Sequence, residues 1–435
     1  MCGRGEPAIG LAARSATQLL SRPVAGITRQ NGELTCDGVS LTKIARDVGT
    51  PVYVYSRALI EENFRRFDGA FAPVPHLVCY AMKANGNLAV LKALAALGAG
   101  VDVVSGGELR AALECGVPPD RIVFSGVGKT EKEIRLGVDV GILAFNAESE
   151  RELEKIDEIS GTLGKTARVA LRINPDIGSG SHPYIATGLK HSKFGIDLQS
   201  ARRVFRQAGR FPHIRLTGLQ AHIGSQILES SPLSQTAREL ASLASELAGL
   251  GANLETLDLG GGVGVAETEE KSLAPEAYAA AVLQELSGLR LRILIEPGRS
   301  IVARAGALLT RVLYLKENLG RSFVVTDAAM NDLLRPALYS ASHPIEPVVP
   351  RGQPFTADIV GPVCETGDFF LRDGVIDRPE EGDLLAIRNA GAYGFAMSSN
   401  YNFRPRAAEV LVENGAYRIV RRRETYEDLV RLERE

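Results

Sequence analysis

The 435-residue sequence predicts an α/β fold, a (β/α)8 TIM barrel followed by a C-terminal all-β sandwich domain. Between residues 78 and 296, short apolar, β-branched runs alternate with amphipathic helical patterns, as in repeated β-α units with buried parallel strands. These runs number eight, the strand count of such a barrel. Beyond residue 300, strand runs are separated by turns without long helices, which is typical of an all-β domain.

The barrel elements can be assigned in chain order. The eight predicted strands are Val78–Ala81, Val101–Ser105, Ile122–Ser125, Ile142–Phe145, Val169–Ile173, Leu216–His222, Leu254–Leu259 and Ile293–Glu296. The helices predicted between them are Leu88–Leu97, Glu108–Cys115, Glu131–Leu136, Glu148–Ile159, Ala201–Gln207, Pro232–Leu250 and Pro275–Leu286. We interpret Asn146 and Asp197 as N-terminal caps of the fourth and fifth of these helices, because short polar side chains accept bonds from free backbone amides.

The remaining segments define the domain organisation. The predicted strands of the second domain are Ala307–Leu315, Phe323–Asp327, Phe355–Val360, Asp383–Ile387, Ala408–Val412 and Tyr417–Val420. Two more strand-like runs, Glu33–Cys36 and Val52–Tyr55, precede the barrel, and we expect the first to pair with the β domain. The predicted units are a disordered N-terminal extension over 1–31, a segment over 32–50 that pairs with the β domain, a barrel over 51–305 and a β-sandwich domain over 306–435.

Charge and cysteine content exclude several classes of function. Lys and Arg total 50 against 52 Asp and Glu, so the chain lacks the basic field that binds nucleic acid or an anionic membrane. No apolar run reaches the roughly 18 residues that span a bilayer. The five cysteines are scattered without a C-x-x-C pair or metal-ligand spacing, which favours a reducing compartment and no metal site. We therefore expect a soluble, cytoplasmic protein.

Polar and glycine-rich groups follow the predicted strands, at the barrel end where catalytic groups lie. Lys83 ends the first strand, where partial desolvation would lower its pKa and prepare its amine to react with a carbonyl. The triplet Gly260–Gly262 follows the seventh strand, where backbone N–H groups bind phosphate. Together they favour a phosphate-bearing aldehyde, and pyridoxal phosphate is that molecule. A solvated lysine and a tight turn without a ligand are the alternatives.

Two further residues fit this cofactor. Glu296 ends the eighth strand, and a carboxylate opposite a pyridine nitrogen keeps that nitrogen protonated, which makes the ring an electron sink suited to decarboxylation. The alternative for Glu296 is an ion pair with Arg299 or a neighbouring residue. His222 would stack on the flat ring while Ser225 reaches the phosphate, and a core histidine with satisfied hydrogen bonds is the alternative for His222.

Eight ordered motifs resemble the diaminopimelate decarboxylase family of fold-type III pyridoxal phosphate enzymes. They are Y-A-M-K-A-N (80–85), H-S-K-F-G-I (191–196), H-I-G-S-Q (222–226), G-G-G (260–262), E-P-G-R (296–299), R-P-A-L-Y (335–339), C-E-T-G-D (364–368) and G-A-Y-G-F-A-M-S-S-N-Y-N (391–402). The resemblance runs from about residue 32 to 415. The family usually has Ser where this chain has Thr366, and the first 30 residues match nothing that we can assign.

The resemblance implies a fold and an activity. The fold is an alanine racemase-like barrel followed by a β sandwich, assembled as a homodimer whose active sites lie at the subunit interface. The activity is decarboxylation of meso-2,6-diaminopimelate to L-lysine and CO2, the last step of lysine biosynthesis.

It also implies a role for each matching residue. For the cofactor, Lys83 resembles the Schiff-base lysine, His222 the ring-stacking residue and Glu296 the partner of the pyridine nitrogen. The residues that resemble the phosphate cradle are Ser225, Gly260, Gly261, Gly262, Pro297, Gly298, Arg299 and Tyr393. For the substrate, the resemblance implies Arg299 and Arg335 as the carboxylate-binding pair, Tyr339 and Tyr393 as their hydrogen-bonding partners, and Glu365 as the residue that recognises the distal amino group. Cys364 resembles the acid that reprotonates Cα, reaching in with Glu365 from the other subunit.

Three alternatives differ at single features. Ornithine, arginine or polyamine-precursor decarboxylases of the same fold as a rule carry Asp where this chain has Glu365. Alanine racemase places Arg against the pyridine nitrogen, where this chain has Glu296. A non-catalytic pyridoxal phosphate-binding barrel would leave the β domain with its Cys364, Glu365 and Tyr393 without a purpose.

Overall fold

The computed structural model describes residues 25–178, 187–188 and 192–434. Its first elements form a small antiparallel sheet. This sheet consists of β1 (Ile27–Gln30), β2 (Glu33–Cys36) and β3 (Val39–Ser40). Residues 25–31, predicted as part of a disordered extension, thus include a strand, and the rest of that extension, 1–24, lies outside the described residues. Among the described residues, β2 forms its strand ladders with β1 and β3, so it is not a ladder strand of the C-terminal sheet.

The N-terminal sheet nevertheless packs on the C-terminal domain. The backbone N–H of Leu34 donates to the carbonyl of Val348 at 2.9 Å. Apolar side chains of β2, such as Leu34, share a buried cluster with Leu309 and Val410. Helix α1 (Leu41–Val48) belongs to the same cluster through Ile44.

The strand β4 (Val52–Ser56) follows, and it lies in the large β sheet rather than in the barrel unit where the sequence predicts it. Its five residues are all buried, which agrees with a central strand that has neighbours on both sides.

Eight parallel strands then close into a barrel. They are β5 (His76–Ala81), β6 (Gly100–Val103), β7 (Ile122–Phe124), β8 (Ala144–Ala147), β9 (Ala167–Arg172), β10 (Ile214–Gln220), β11 (Thr256–Asp258) and β12 (Arg292–Ile295). Each strand pairs with the next, and β12 pairs with β5 to complete the circle. All eight predicted strands are confirmed, so the groups that follow them converge at one mouth.

Helices surround the barrel as the sequence predicts. Helix α2 (Arg57–Phe71) precedes β5, and the others are α3 (Leu88–Ala96), α4 (Gly106–Glu114), α5 (Glu131–Val140), α6 (Glu150–Thr162), α7 (Leu198–Arg206), α8 (Ser231–Gly249) and α9 (Pro275–Glu285). Asp197 caps α7 as predicted, because its side chain accepts from the amides of Gln199 and Ser200. The predicted cap Asn146 is wrong, since Ser149 caps α6 and Asn146 lies inside β8.

The C-terminal domain begins after the short helix α10 (Arg299–Val302). It contains β13 (Gly306–Asn318), β14 (Arg321–Thr326), α11 (Arg335–Tyr339), β15 (Ile345–Pro347), β16 (Pro354–Val360), β17 (Phe369–Asp377), β18 (Leu384–Ile387), β19 (Ala408–Glu413), β20 (Ala416–Arg421) and α12 (Tyr426–Val430). The long strand β13 pairs with β4 and β18 through its first half and with β14 through its second half. The predicted all-β domain is confirmed, and β4 is built into it.

One continuous apolar core joins the two large units, with Ile295 of the barrel and Leu308 and Ile387 of the β domain in the same cluster. The β domain is thereby held against the barrel mouth. Within the described ranges, no helix is both long and apolar enough to cross a membrane. The same residues contain no group of three or more His, Cys, Asp or Glu side chains that could hold a metal ion.

Candidate active site

Lys83 stands on a single helical turn, Met82–Ala84, directly after β5. Its ammonium group donates to a carboxylate oxygen of Asp102, which comes from the next strand, β6, and is fully buried. Burial lowers the pKa of Lys83, but the charges of the nearby carboxylates, that of Asp102 first, raise it more, so the pKa lies above its usual value. The expectation of a lowered pKa is therefore wrong, because it considered the desolvation and not these charges. The Lys83 side chain is 32% exposed, which leaves it accessible from the barrel mouth.

A loop of the β domain holds the Lys83 turn. The backbone N–H of Tyr393 donates to the carbonyl of Ala84 at 2.8 Å, and the amide of Asn85 donates to the carbonyl of Gly391 at 3.1 Å. A Cβ at Gly391 would lie 1.9 Å from the carbonyl oxygen of Val302, so glycine is required for this close approach. Tyr393 itself has a φ of 55°, an uncommon conformation that occurs often at functional sites.

Glu296 is a buried carboxyl at the end of β12, 3% exposed. Its hydrogen-bond donors, the side-chain amides of Asn146 and Gln220, are both 3.4 Å away, which makes these bonds weak. Burial raises the pKa of Glu296 well above its usual value, and the nearby carboxylates of Asp102 and Asp258 raise it further. Burial likewise raises the pKa of Asp258 to about 6. The alternative of a Glu296–Arg299 ion pair is not supported, since no such pair occurs among the described residues.

The glycine triplet after β11 lies against His222. The amide of Gly261 donates to Nδ1 of His222 at 3.1 Å, and the amide of Gly260 donates to Asp258 at 2.8 Å. Two of the three amides are thus used inside the protein. A Cβ at Gly261 would lie 2.2 Å from the carbonyl oxygen of Glu296, so the triplet permits a close backbone approach that no other residue allows.

The imidazole of His222 is neutral. Burial lowers its pKa well below the usual value, and the positive charges of Arg172 and Lys83 lower it further. Because Nδ1 accepts the Gly261 amide, the proton of the neutral ring lies on Nε2. An uncharged, half-buried ring of this kind is suited to stacking on a flat cofactor.

Two buried arginines line a cavity of about 360 Å³ beside this mouth. Arg299 and Arg335 are each 8% exposed, and neither has an ion-pair partner among the described residues. Arg299 donates to the hydroxyl of Ser225 at 2.9 Å and lies over the ring of Tyr393, with 4.7 Å from guanidinium carbon to ring centroid. Burial and the charge of Arg299 lower the pKa of Arg335 to about 10. Tyr339 also lines the cavity. Two buried cations without carboxylate partners form a site for anionic ligands.

Cys364 and Glu365 lie apart from this group, exposed on the loop between β16 and β17. The amide of Cys364 donates to Asn402 at 3.0 Å, and Glu365 accepts from the hydroxyl of Tyr401 at 3.0 Å. No hydrogen bond or ion pair among the described residues joins Cys364 or Glu365 to Lys83 of the same chain. The structure brings together all other predicted site residues: Lys83, His222, Ser225, Gly260, Gly261, Gly262, Glu296, Pro297, Gly298, Arg299, Arg335, Tyr339 and Tyr393. His191 of the H-S-K-F-G-I motif lies outside the described residues.

Sequence reasoning missed several residues of the site. Asp102 and Asp258 are carboxylates within the apolar runs V-D-V and L-D-L, and a charged residue in a buried strand is a signal that could have found them. Gln220 ends β10 in the same way. His343, which contacts Arg335, carries no signal in the local sequence.

Comparison with known proteins agrees with this geometry. The family model described as the pyridoxal binding domain of pyridoxal-dependent decarboxylases matches residues 57–303. A diaminopimelate decarboxylase from Aquifex aeolicus is 48% identical over 403 residues, covering 92% of this chain and 96% of that protein. One from Neisseria meningitidis is 50% identical over 395 residues, covering 91% and 97%. The chain belongs to the diaminopimelate decarboxylase family.

A solved structure supports membership at the level of the fold. The crystal structure of the Helicobacter pylori diaminopimelate decarboxylase complexed with L-lysine has a TM-score of 0.87 and 44% identity, covering 90% of this chain and 98% of that one. The resemblance drawn from the motifs is therefore confirmed, as are the barrel and the β domain that it implies.

The residues present fit the cofactor of the diaminopimelate decarboxylase family. The amine of Lys83 is accessible at the mouth, and the buried oxygen Asp102 Oδ1 has no hydrogen-bond partner among the described residues. The bonds that Glu296 accepts from Asn146 and Gln220 are both 3.4 Å long, so its carboxyl can take a stronger donor. The backbone at Gly261 lies so close to the carbonyl of Glu296 that only a glycine fits there, as expected of a phosphate cradle that is built from backbone.

Proposed function

We propose that this protein catalyses the pyridoxal phosphate-dependent decarboxylation of meso-2,6-diaminopimelate to L-lysine and CO2, the last step of lysine biosynthesis. The observation that carries the proposal is the pair of buried cations, Arg299 and Arg335, beside Lys83. Tyr393 connects these cations to Lys83, because its ring lies under Arg299 and its backbone N–H donates to the turn that carries Lys83. A substrate with a second carboxylate, held while the first is lost, matches this arrangement.

Pyridoxal phosphate would be held by Lys83, His222 and Glu296 around its ring, with Ser225, Gly260–Gly262 and the Glu296–Arg299 stretch near its phosphate. When bound, it supplies an electron sink for the electron pair that remains at Cα when CO2 leaves. Asp102 acts as the partner of the Lys83 ammonium. Burial raises the pKa of Glu296 well above its usual value, so its carboxyl would carry the proton that a pyridine nitrogen opposite it would accept.

The substrate would be bound at both ends. Arg299 and Arg335 bind the carboxylate that is retained, with Tyr339 and Tyr393 as hydrogen-bonding partners. Glu365 binds the distal amino group, and Cys364 donates the proton that replaces CO2 at Cα. Because the chain's own Cys364 and Glu365 face outward, we propose that these two come from the second subunit of a homodimer.

The outward-facing loop supports this assembly. Tyr401, which donates to Glu365, is 46% exposed, and Phe403, two residues further along the chain, is 53% exposed. Exposed aromatic side chains of this kind are often buried at interfaces. The proposed partners are therefore the small-molecule substrate and a second copy of the chain, and neither nucleic acid nor a membrane. The described cysteines are free thiols, which agrees with a reducing, cytoplasmic location.

The test is a substrate panel with purified, pyridoxal phosphate-loaded protein. We expect CO2 and L-lysine to form in equal amounts from meso-diaminopimelate, and little CO2 from ornithine, arginine or L-lysine. Lys83→Ala is the control, and it should abolish both products. Faster release from ornithine than from diaminopimelate would contradict the proposal.

A further inference from the structure

His343 is a buried histidine outside the predicted site that contacts one of its arginines. It follows α11 by four residues and is 3% exposed. Its Nε2 lies 2.9 Å from Nη1 of Arg335, and its Nδ1 lies 2.8 Å from the carbonyl oxygen of Arg388. The ring thus bridges a cavity-lining guanidinium and the backbone after β18.

The two neighbours determine the state of the ring. An arginine can only donate, so Nε2 accepts from Arg335, and a carbonyl can only accept, so Nδ1–H donates to Arg388. Both bonds require the neutral tautomer with its proton on Nδ1. Burial lowers the pKa of His343 to about 4, and the charge of Arg335 contributes to this, so the ring is neutral at pH 7.

The ring has a rigid support. The backbone N–H of Arg388 donates to the carbonyl of Pro344, the residue after His343, at 2.8 Å. Arg388 thus bonds both to the His343 ring and to the backbone beside it. The Arg388 side chain donates at 2.7 Å both to Glu346 and to the carbonyl of Ile27. The strand β15, the end of β18 and β1 therefore fix the position of the imidazole.

Fixing Nη1 of Arg335 has a consequence for binding. An arginine side chain loses much rotational freedom when a ligand orders it, and a hydrogen bond made beforehand removes part of that loss. Because His343 uses only one of the five N–H donors of Arg335, the others remain for a carboxylate in the cavity.

We propose that His343 is a positioning residue, which holds the guanidinium of Arg335 in the orientation that binds the retained carboxylate of the substrate. This inference rests on the proposed function for the identity of the ligand. His343 itself contacts Arg335 and the backbone, and it acts on the ligand only through Arg335.

Two variants separate the two bonds of the ring. In His343→Gln the amide ends near the position of Nε2, so its oxygen can still accept from Arg335. In His343→Asn the amide ends near the position of Nδ1, so it keeps the bond to Arg388 and loses the one to Arg335. Each variant loses one buried hydrogen bond, so a merely structural role predicts similar thermal unfolding and similar ligand binding for both.

The measurement is calorimetric binding of L-lysine and of cadaverine, which is the same chain without a carboxylate, to pyridoxal phosphate-loaded protein. We expect His343→Asn to weaken L-lysine binding roughly tenfold, the effect of one hydrogen bond to a charged group, with cadaverine unchanged. His343→Gln should weaken L-lysine binding less than about threefold. The KM for diaminopimelate should likewise rise more in His343→Asn than in His343→Gln, and kcat should change less than KM in both.

Equal loss of L-lysine binding in the two variants, or parallel loss of L-lysine and cadaverine, would overturn the inference. So would a wild-type protein that binds both ligands equally. The proposed function is judged separately, by CO2 release from the wild type. A wild type that binds L-lysine as expected but releases no CO2 from diaminopimelate would refute the function and leave the positioning role supported.

Discussion

Lys83 donates from its ammonium group to a carboxylate oxygen of Asp102, which is completely buried on the neighbouring barrel strand. A lysine must lose its proton before its amine attacks an aldehyde, and the charge of Asp102 opposes that loss by raising the pKa of Lys83. We therefore expect the pair to set the pH at which the free protein takes up pyridoxal phosphate.

Asp102→Asn should move cofactor uptake to lower pH. Burial lowers the pKa of Lys83, whereas the charge of Asp102 raises it. Without that charge the effect of burial is larger, and the pKa of Lys83 should fall by at least about one unit. The measurement is the rate of pyridoxal phosphate incorporation into the free protein as a function of pH, followed by visible absorbance. Asp139→Asn is the control, since it removes the exposed partner of Lys165 and should leave the profile unchanged. An unchanged midpoint in Asp102→Asn would contradict this role.

Asp258 gives the free protein a distinct pH dependence of stability. Its pKa rises from 3.8 when unfolded to about 6 when folded, so the folded state binds the proton more tightly. Its contribution to stability is then fully present below pH 4 and is lost as the pH rises through 6. Compared with Asp258→Asn, the free energy of unfolding of the wild type should fall by on the order of 3 kcal/mol between pH 4 and 7. Urea unfolding of both proteins across this range tests it, and a constant difference would count against it.

The barrel and the residues at its mouth could be predicted because the patterns that indicate them lie within short stretches of the sequence. Lys83 and Glu296 each end an apolar strand, and closing parallel strands brings such ends to one edge. The prediction of Asn146 as a helix cap fails because the strand β8 extends two residues beyond the apolar run that ends at Phe145. The pKa direction of Lys83 could not be predicted, since Asp102 becomes its neighbour only through the pairing of β5 with β6. His343 depends on a contact between α11 and the end of β18, which no sequence period encodes.

Arg335→Lys tests the carboxylate site directly. A lysine keeps the positive charge but cannot form the paired N–H bonds that a guanidinium makes with a carboxylate. We expect the KM for diaminopimelate to rise about tenfold to one hundredfold, the effect of one or two charge-assisted hydrogen bonds, with pyridoxal phosphate uptake unchanged. Arg311→Lys, whose guanidinium donates to the carbonyl of Gly382 on the surface, is the matched control. A loss of kcat without a change in KM would contradict a role in substrate binding.

Mixed dimers test whether Cys364 acts across a subunit interface. Lys83→Ala and Cys364→Ala homodimers should both be inactive, because each lacks one essential group at both sites. After subunit exchange, random pairing makes half of the dimers mixed, and each mixed dimer has one intact site, so about one quarter of the wild-type activity should return. Exchange is verified independently by mass spectrometry of differently tagged subunits. If exchange occurs and no activity returns, Cys364 serves the site of its own chain, and the outward position of its loop must change before catalysis.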